Sequence, residues 1–206
     1  MKEYQSAPSQ TLLSGLGKGL SASRKLFCYI KSFIYTEVEF FIYKNINEVE
    51  IKSPAIVRKA NKGNVNDAIT FNSKAIIKTF NKFLDSGEKG YLAYLDSECV
   101  HRSWVKRGPH EVRFMHDYVL SLQENDVYVH HCATAERFRG MNIYPLVLMN
   151  ICKDHHEKNV YILVLKRKYY ANRGVEKAGF KKARHVIIKR ILGFTRVKET
   201  MLSHEL

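Results

Sequence analysis

Cysteine, proline and tryptophan are scarce in this chain: its 206 residues include four, four and one of them. The cysteines (Cys28, Cys99, Cys132 and Cys152) contain no Cys-x-x-Cys pair and have no histidine at zinc spacing. The pattern offers neither a disulfide framework nor a metal site, and reads as small buried hydrophobes in a reducing compartment. No stretch approaches the roughly 18 consecutive apolar residues of a membrane span. Met1 to Gln10 is polar and leads into no apolar core with a small-residue cleavage site. No secretory signal is read, and the expected address is the cytoplasm. Internal repeats and low-complexity tracts are missing too, which excludes solenoids and fibrous arrays.

Acid is the other shortage. Twenty Asp and Glu face 34 Lys and Arg, a formal charge of +14. Such an excess favours anionic partners: nucleic acid, an anionic membrane face or a phosphorylated small molecule. Much of it is C-terminal, where twelve bases between Lys166 and Lys198 stand against one acid, Glu176.

What remains is a globular composition, 45% hydrophobic and 12% aromatic, long enough for one cored domain with an extension. The expected division is an extension over residues 1–50 and a main domain over 51–206. The extension reads as a polar, Gly/Ser-rich arm followed by an amphipathic helix over Arg24 to Asn45. There Leu26, Ile30, Phe33, Ile34, Phe41 and Ile42 recur at roughly helical spacing. Its second half is aromatic and β-branched enough for a strand instead. Such a helix suits docking on its own domain, on a second copy in a homodimer, or peripherally on a membrane; Glu37 and Glu39 favour ordinary docking, since they repel anionic lipid.

Along the main domain, "AIVRKAN" (Ala55 to Asn61) reads as a strand. "SKAIIKTFNKFLDSG" (Ser73 to Gly87) reads as an amphipathic helix with Ser73 as cap and Gly87 as stop. "GYLAYLD" and "ECVHRSWV" are strands split by the hairpin pair Asp96-Ser97. Met115 to Asp126 is taken as a helix, "VYVHHCATA" (Val127 to Ala135) as a strand, and "VYILVL" (Val160 to Leu165) as a strand buried on both faces. A short helix ends at Gly179 and a last strand lies near His185 to Leu192. This order predicts an α/β (α+β) domain with a mixed sheet.

The stretch "RFRGMNIYPLVL" (Arg137 to Leu148) carries the first chemical signal. Asn142 tolerates left-handed torsions, Gly140 has no Cβ to obstruct a ligand, and Pro145 suits the first turn of a helix. A tight loop opening onto a helix N-terminus presents free N–H groups and partial positive charge, which suits a phosphate.

From about Ala55 to Leu192 the chain resembles the GNAT superfamily of N-acetyltransferases. The family's loop after its fourth strand often reads R-G-x-G-I-G. Here "RGMNIY" keeps Arg139, Gly140 and Ile143 but has Asn142 and Tyr144 where Gly and Gly or Ala are usual. "NRGVEKAGF" (Asn172 to Phe180) is close to the family's YEK-x-GF ending of the helix after strand five. The resemblance implies a mostly antiparallel central sheet flanked by helices, acetyl-CoA as acyl donor, no metal, and a primary amine as acceptor. It places the backbone of Cys132, Ala133 and Thr134 against the pantetheine and Arg139, Gly140, Met141, Asn142, Ile143 and Tyr144 around the diphosphate. Lys168 and Asn172 lie where the family contacts its cofactor further along. The tyrosine that often acts as general acid in the family falls at Val175, so that role is unfilled there.

The catalytic candidates follow from strand alternation and the resemblance together. Tyr128, His130, Cys132 and Thr134 are expected on one face of their strand. His130 is the first choice of base and His101, on the neighbouring strand, the second. Tyr170, beside Tyr169, is a candidate acid. The basic surroundings suit an anionic acceptor, such as an amino sugar on a nucleotide or lipid carrier. The "HRSWV" strand and "RGxxIYP" loop resemble GNAT proteins associated with surface-polysaccharide assembly. Two other readings fit the same residues: a nucleic-acid-binding module using the C-terminal bases and aromatics, and an inactive GNAT-like protein that binds CoA or a membrane surface.

Overall fold

The computed structural model describes residues 35–71, 73–114 and 118–202. They form ten strands and three α-helices: β1 (Tyr35–Asn45), β2 (Ile56–Lys59), α1 (Lys74–Asp85), β3 (Lys89–Leu95), β4 (Glu98–Arg107), β5 (His110–Phe114), β6 (Tyr118–Leu122), β7 (Asp126–Thr134), α2 (Ile143–Asp154), β8 (Asn159–Leu165), α3 (Tyr169–Lys177), β9 (Phe180–Ile191) and β10 (Phe194–Met201). Two 3-10 segments, Val65–Phe71 and Glu136–Phe138, precede α1 and α2. Contacts divide the chain into two units. The smaller contains residues 35–37 and 188–196, where Leu192 and Gly193 turn the chain at positive φ and Lys189 pairs with Glu37 at 3.3 Å.

The larger unit, residues 38–187 and 197–202, holds the greater part of every strand of the main sheet, whose order is β10-β9-β1-β8-β7-β4-β3-β2. Antiparallel pairing dominates, and β7 with β8 is the parallel pair at its centre. One face is covered by α2 and α3, whose Ile143, Leu146, Val147, Leu148, Ile151 and Val175 pack on Val105, Val127, Val129 and Ile162. The other carries α1 and the first 3-10 segment, where Ile77 and Phe80 meet Leu92 and Trp104. The expected mixed α/β architecture is the one observed.

Several elements follow directly from local chemistry. Asp96 and Ser97 both take positive φ (48° and 67°), making the two-residue turn between β3 and β4. Gly87, at φ 80°, ends α1: its N–H donates to the Leu84 carbonyl, and Glu88 N–H donates to Phe83. This is the glycine stop that satisfies the last carbonyls of a helix.

Other expectations fail, each for a stated reason. Residues 35–45 are strand, the alternative left open for the second half of Arg24 to Asn45, and not helix. β1 lies between β8 and β9, and its Phe40, Ile42 and Tyr43 are fully buried, an environment that favours β-branched and aromatic side chains. The first part of that helix, residues 24–34, lies outside the described residues. The sheet thus reaches back across the division expected at residue 50. In place of a helix over Met115 to Asp126, residues 118–122 are β6: Tyr118, Leu120 and Leu122 are buried while Val119 and Ser121 are exposed, a period of two. β6 pairs with β5 in a separate hairpin whose Phe114 and Tyr118 rings pack on Phe40. β10 is exposed at every position and so gave no apolar signal.

Candidate active site

The loop ahead of α2 has the conformation its residues suggest. Gly140 has φ 86°, and a Cβ built there would meet nothing within 4 Å. Asn142 takes the left-handed conformation (φ 57°, ψ 19°) and caps α2, whose first helical bond runs from Leu146 N–H to the Asn142 carbonyl at 3.0 Å. The N–H groups of Ile143 and Tyr144 precede that bond and belong to the set a helix leaves unsatisfied. Ser53 Oγ donates to the Met141 carbonyl at 2.9 Å, Asn142 Nδ2 donates to the Lys52 carbonyl, and Lys177 Nζ donates to Asn142 Oδ1 at 2.8 Å. The loop is therefore braced from behind, with Arg139 exposed on its flank, Ile143 buried in the core and a lysine from α3 beside its cap. Glycine openness, helix-terminal N–H groups and adjacent cations fit a diphosphate.

Beside this loop the central ladder ends. The parallel register of β7 and β8 runs from Asp126↔Asn159 to Val129↔Ile162. Among the described residues, His130 to Thr134 have no ladder partner on β8, although β7 continues to Thr134 and β8 to Leu165. Parallel neighbours that stop pairing leave backbone donors and acceptors available to an extended ligand chain.

Tyr144 points inward from this loop. Its ring fills the space left by Gly174 of α3, where a Cβ would lie 2.9 Å from Tyr144 Cδ1. It stacks on His101 at 5.5 Å, and its hydroxyl interacts with the Cys132 thiol. Burial holds the phenol protonated, well above its ordinary range. Tyr144 thus brings only its backbone to the loop, while its side chain is a core group.

β7 does not alternate as expected. His131 has φ 50°, and against β4 the register passes from Trp104↔His130 to Arg102↔Ala133, so two residues of β7 oppose Ser103. This is a β-bulge. The Arg102 guanidinium donates to the His131 carbonyl and lies over the Phe80 ring at 4.7 Å, which pins the bulge. In consequence His130 shares the α1 face with Trp104, its ring 5.2 Å from Phe83, whereas Cys132 and Thr134 belong to the α2 face. The single face expected for His130, Cys132 and Thr134 is split in two.

His130 meets acid and base together. Its Nε2 lies 2.9 Å from Glu88 Oε2, an ion-pair distance whose angles fall short of a formed hydrogen bond, and its Nδ1 lies 2.7 Å from His131 Nδ1. Lys106 Nζ approaches the other Glu88 oxygen at 3.8 Å. Phe83 and Tyr128 hold the imidazole from either side: the Phe83 ring meets it edge-on and Tyr128 stacks on it at 5.7 Å. His131 is exposed, its ring edge-on to Phe83 at 4.9 Å. Desolvation, then the neighbouring His130 and Arg102, push His131 down to about 4, so it is neutral near pH 7.

The remaining candidates separate from this cluster. His101 is fully buried, with Nδ1 2.7 Å from Thr134 Oγ1 and Nε2 2.8 Å from Ser103 Oγ. Burial pushes it down to about 3, and neither ring nitrogen is available to a substrate; it is a core histidine. Tyr170 is 87% exposed and stands in solvent against Tyr169. Asn172 spends its whole amide on the fold: Nδ2 donates to the carbonyls of Leu165, Lys166 and Lys168, and Oδ1 accepts from Tyr43 at 2.8 Å. It fixes the turn between β8 and α3 rather than a ligand. Lys168 is exposed at the start of α3. Val175 is fully buried, as an apolar residue there should be. Sequence spacing and resemblance do not point to Glu88, Arg102 or Lys177. Only Arg102 offered a hint, as a cation inside an otherwise core-like strand. Among the described residues no group of three or more His, Cys, Asp or Glu could hold a metal ion, and no helix is long and apolar enough to cross a membrane.

A mostly antiparallel sheet with a parallel pair at its centre, parting beside a glycine loop at a helix N-terminus, is the fold of the GNAT acetyltransferases. Among solved structures, the chain is similar to an acetyltransferase of the GNAT family from Colwellia psychrerythraea (13% identity, TM-score 0.59, 75% of this chain and 56% of that one). It is similar also to a GCN5-related N-acetyltransferase-like protein from Streptococcus suis 89/1591 (9% identity, TM-score 0.54, 81% of this chain and 66% of that one). The chain thus spans between half and two thirds of these proteins' own lengths. No family model and no curated relative matches it. Identities this low establish the fold, and what the site does must be argued from its own residues.

Proposed function

We propose that the protein transfers an acetyl group from acetyl-CoA to a primary amine. The observation that carries this reading is the end of the β7–β8 ladder at Val129 and Ile162, directly beside the loop that caps α2. The helix terminus and Lys177 suit the diphosphate of CoA, and the unpaired edge of β7 suits the amides of its pantetheine arm. Acetyl-CoA supplies an activated thioester. The amine nitrogen forms a bond to its carbonyl carbon as the carbon–sulfur bond breaks; the sulfur leaves as a thiolate, and the surplus proton of the new amide nitrogen passes to that sulfur, directly or through solvent. Backbone N–H groups of β7 past the ladder's end are positioned to stabilise charge on the carbonyl oxygen. The amine must first lose a proton, which calls for a neutral base on the acceptor side.

For the acceptor, the excess of bases supports an anionic amine such as an amino sugar carried on a phosphate. Acetyl-CoA should raise the melting temperature by an amount that follows mass action, with half-saturation independent of added DNA or RNA. A thiol assay for CoA release across nucleotide-linked amino sugars, spermidine and basic peptides then ranks acceptors. No stabilisation by acetyl-CoA, together with salt-sensitive binding to nucleic acid, would overturn the reading in favour of a nucleic-acid-binding module.

A further inference from the structure

Three polar side chains that the cofactor cleft does not use form a chain on the α1 face of β7: Glu88, His130 and His131. Their order fixes their protons. Glu88, set in place by the glycine stop of α1, offers a carboxylate oxygen 2.9 Å from His130 Nε2. Both atoms are buried, and since their angles fall short of a formed hydrogen bond neither has a hydrogen-bond partner among the described residues; each is the nearest polar atom that could satisfy the other. A carboxylate facing an imidazole nitrogen favours the proton on that nitrogen. His130 Nδ1 is then bare and accepts from the Nδ1–H of His131 at 2.7 Å. Neutral His131 is left with an unprotonated Nε2, which makes no hydrogen bond among the described residues. The residue bearing it is exposed, on the bulge where β7 has just left β8.

Resting on the acyl-transfer reading, we propose that His131, not His130, is the proton acceptor for the amine, and that Glu88 and His130 form a relay behind it that holds its Nε2 bare. Deprotonation then runs as follows. The substrate ammonium gives its proton to His131 Nε2, the Nδ1 proton of His131 shifts toward His130 Nδ1, and the Glu88 carboxylate balances the resulting positive charge. Nothing is oxidised or reduced, and the proton returns to solvent through His131 Nε2 once the product has left. The charged groups facing this chain are Glu88 and Lys106, with Arg102 on the His131 carbonyl. The two cations oppose protonation and Glu88 favours it. The acceptor therefore enters on the α1 side of the sheet, past Phe83, while the thioester lies in the gap beyond the ladder.

The test compares two acceptors, ethanolamine, almost wholly protonated at neutral pH, and hydroxylamine, largely unprotonated there. In His131→Ala, kcat/KM with ethanolamine should fall by about 10²–10⁴-fold. The rate with hydroxylamine should fall by less than about tenfold, and imidazole should restore part of the ethanolamine rate. Stabilisation by acetyl-CoA should be unchanged. Glu88→Gln should cause a smaller loss and shift the ethanolamine pH profile. Equal loss with both amines, or no loss with either, would overturn the relay. A second readout needs no turnover: nitrogen-15 NMR should find His130 protonated at Nε2 and His131 at Nδ1 in the wild type, with His130 changing tautomer populations in Glu88→Gln. The opposite tautomers would overturn it equally. A wild type that neither binds acetyl-CoA nor releases CoA would instead remove the acyl-transfer reading, which separates the two failures.

Discussion

His101 and His131 lie on neighbouring strands and face opposite sides of the sheet. His101 is enclosed, its two nitrogens taken by Thr134 and Ser103 and its ring stacked on Tyr144. His131 is exposed, tied through one nitrogen to His130 and through its carbonyl to Arg102. Both are neutral near pH 7, and desolvation is the first cause for each, complete around His101 and only partial around the solvent-facing His131. Neutrality therefore does not distinguish a core histidine from a reactive one. What differs is where the lone pair points: in one case every nitrogen is spent on the fold, and in the other one is left over.

That contrast can be broken by mutation. The largest stability effect should come from His101→Ala, which leaves a cavity and orphans the buried Ser103 and half-buried Thr134 hydroxyls, at a cost of about 3 kcal/mol. His131→Ala should change stability by less than about 0.5 kcal/mol, as for other exposed positions. Urea denaturation measures both, and equal losses would erase the distinction.

Acid should weaken the enclosed histidine's contribution next. A histidine whose folded pKa lies below its unfolded value near 6.5 contributes fully above that value. Its contribution is lost as pH falls toward the folded pKa, about 3 for His101. Stability should thus fall below about pH 6.5, with a slope of at most about 1.4 kcal/mol per pH unit from this residue. His101→Gln should flatten that slope, and an unchanged slope would show that His101 does not set it.

Smaller effects concern the support beneath the two sites. Gly174→Val presses on Tyr144 and should cost about 2 kcal/mol, with Tyr144→Ala in the same chain relieving much of it. Asn142→Ala should cost about 1 kcal/mol through its left-handed backbone and weaken acetyl-CoA stabilisation. Asn142→Gly should keep the conformation and most of the binding, as calorimetry with acetyl-CoA would show.

Much of this architecture was legible from turn chemistry. Asp96-Ser97, Gly87 and the Asn142–Pro145 start of α2 all do what their backbone preferences indicate. The elements that misled were those whose environment decides. Phe40, Ile42 and Tyr43 suit a strand because two strands and both faces enclose them, which no local spacing records. Tyr118 to Leu122 is too short for its period of two to stand out beside the polar residues around it. At the site, the phosphate loop could be read and the histidine roles could not. A bulge at His131 needs no glycine or asparagine to announce it. Glu88 comes near His130 through pairing between elements more than forty residues apart.

The extra residue of β7 works as a change of parity. Before it, even positions look toward α1; after it, they look toward α2, so the same strand serves two chambers in succession. The same residues run as a regular strand, without the bulge, would turn Cys132 and Thr134 toward α1 and part Thr134 from His101. Chemistry in this region is governed by a count as much as by residue identity, since the bulge is what lets His130 and Thr134, four positions apart on one strand, serve different sides of the sheet.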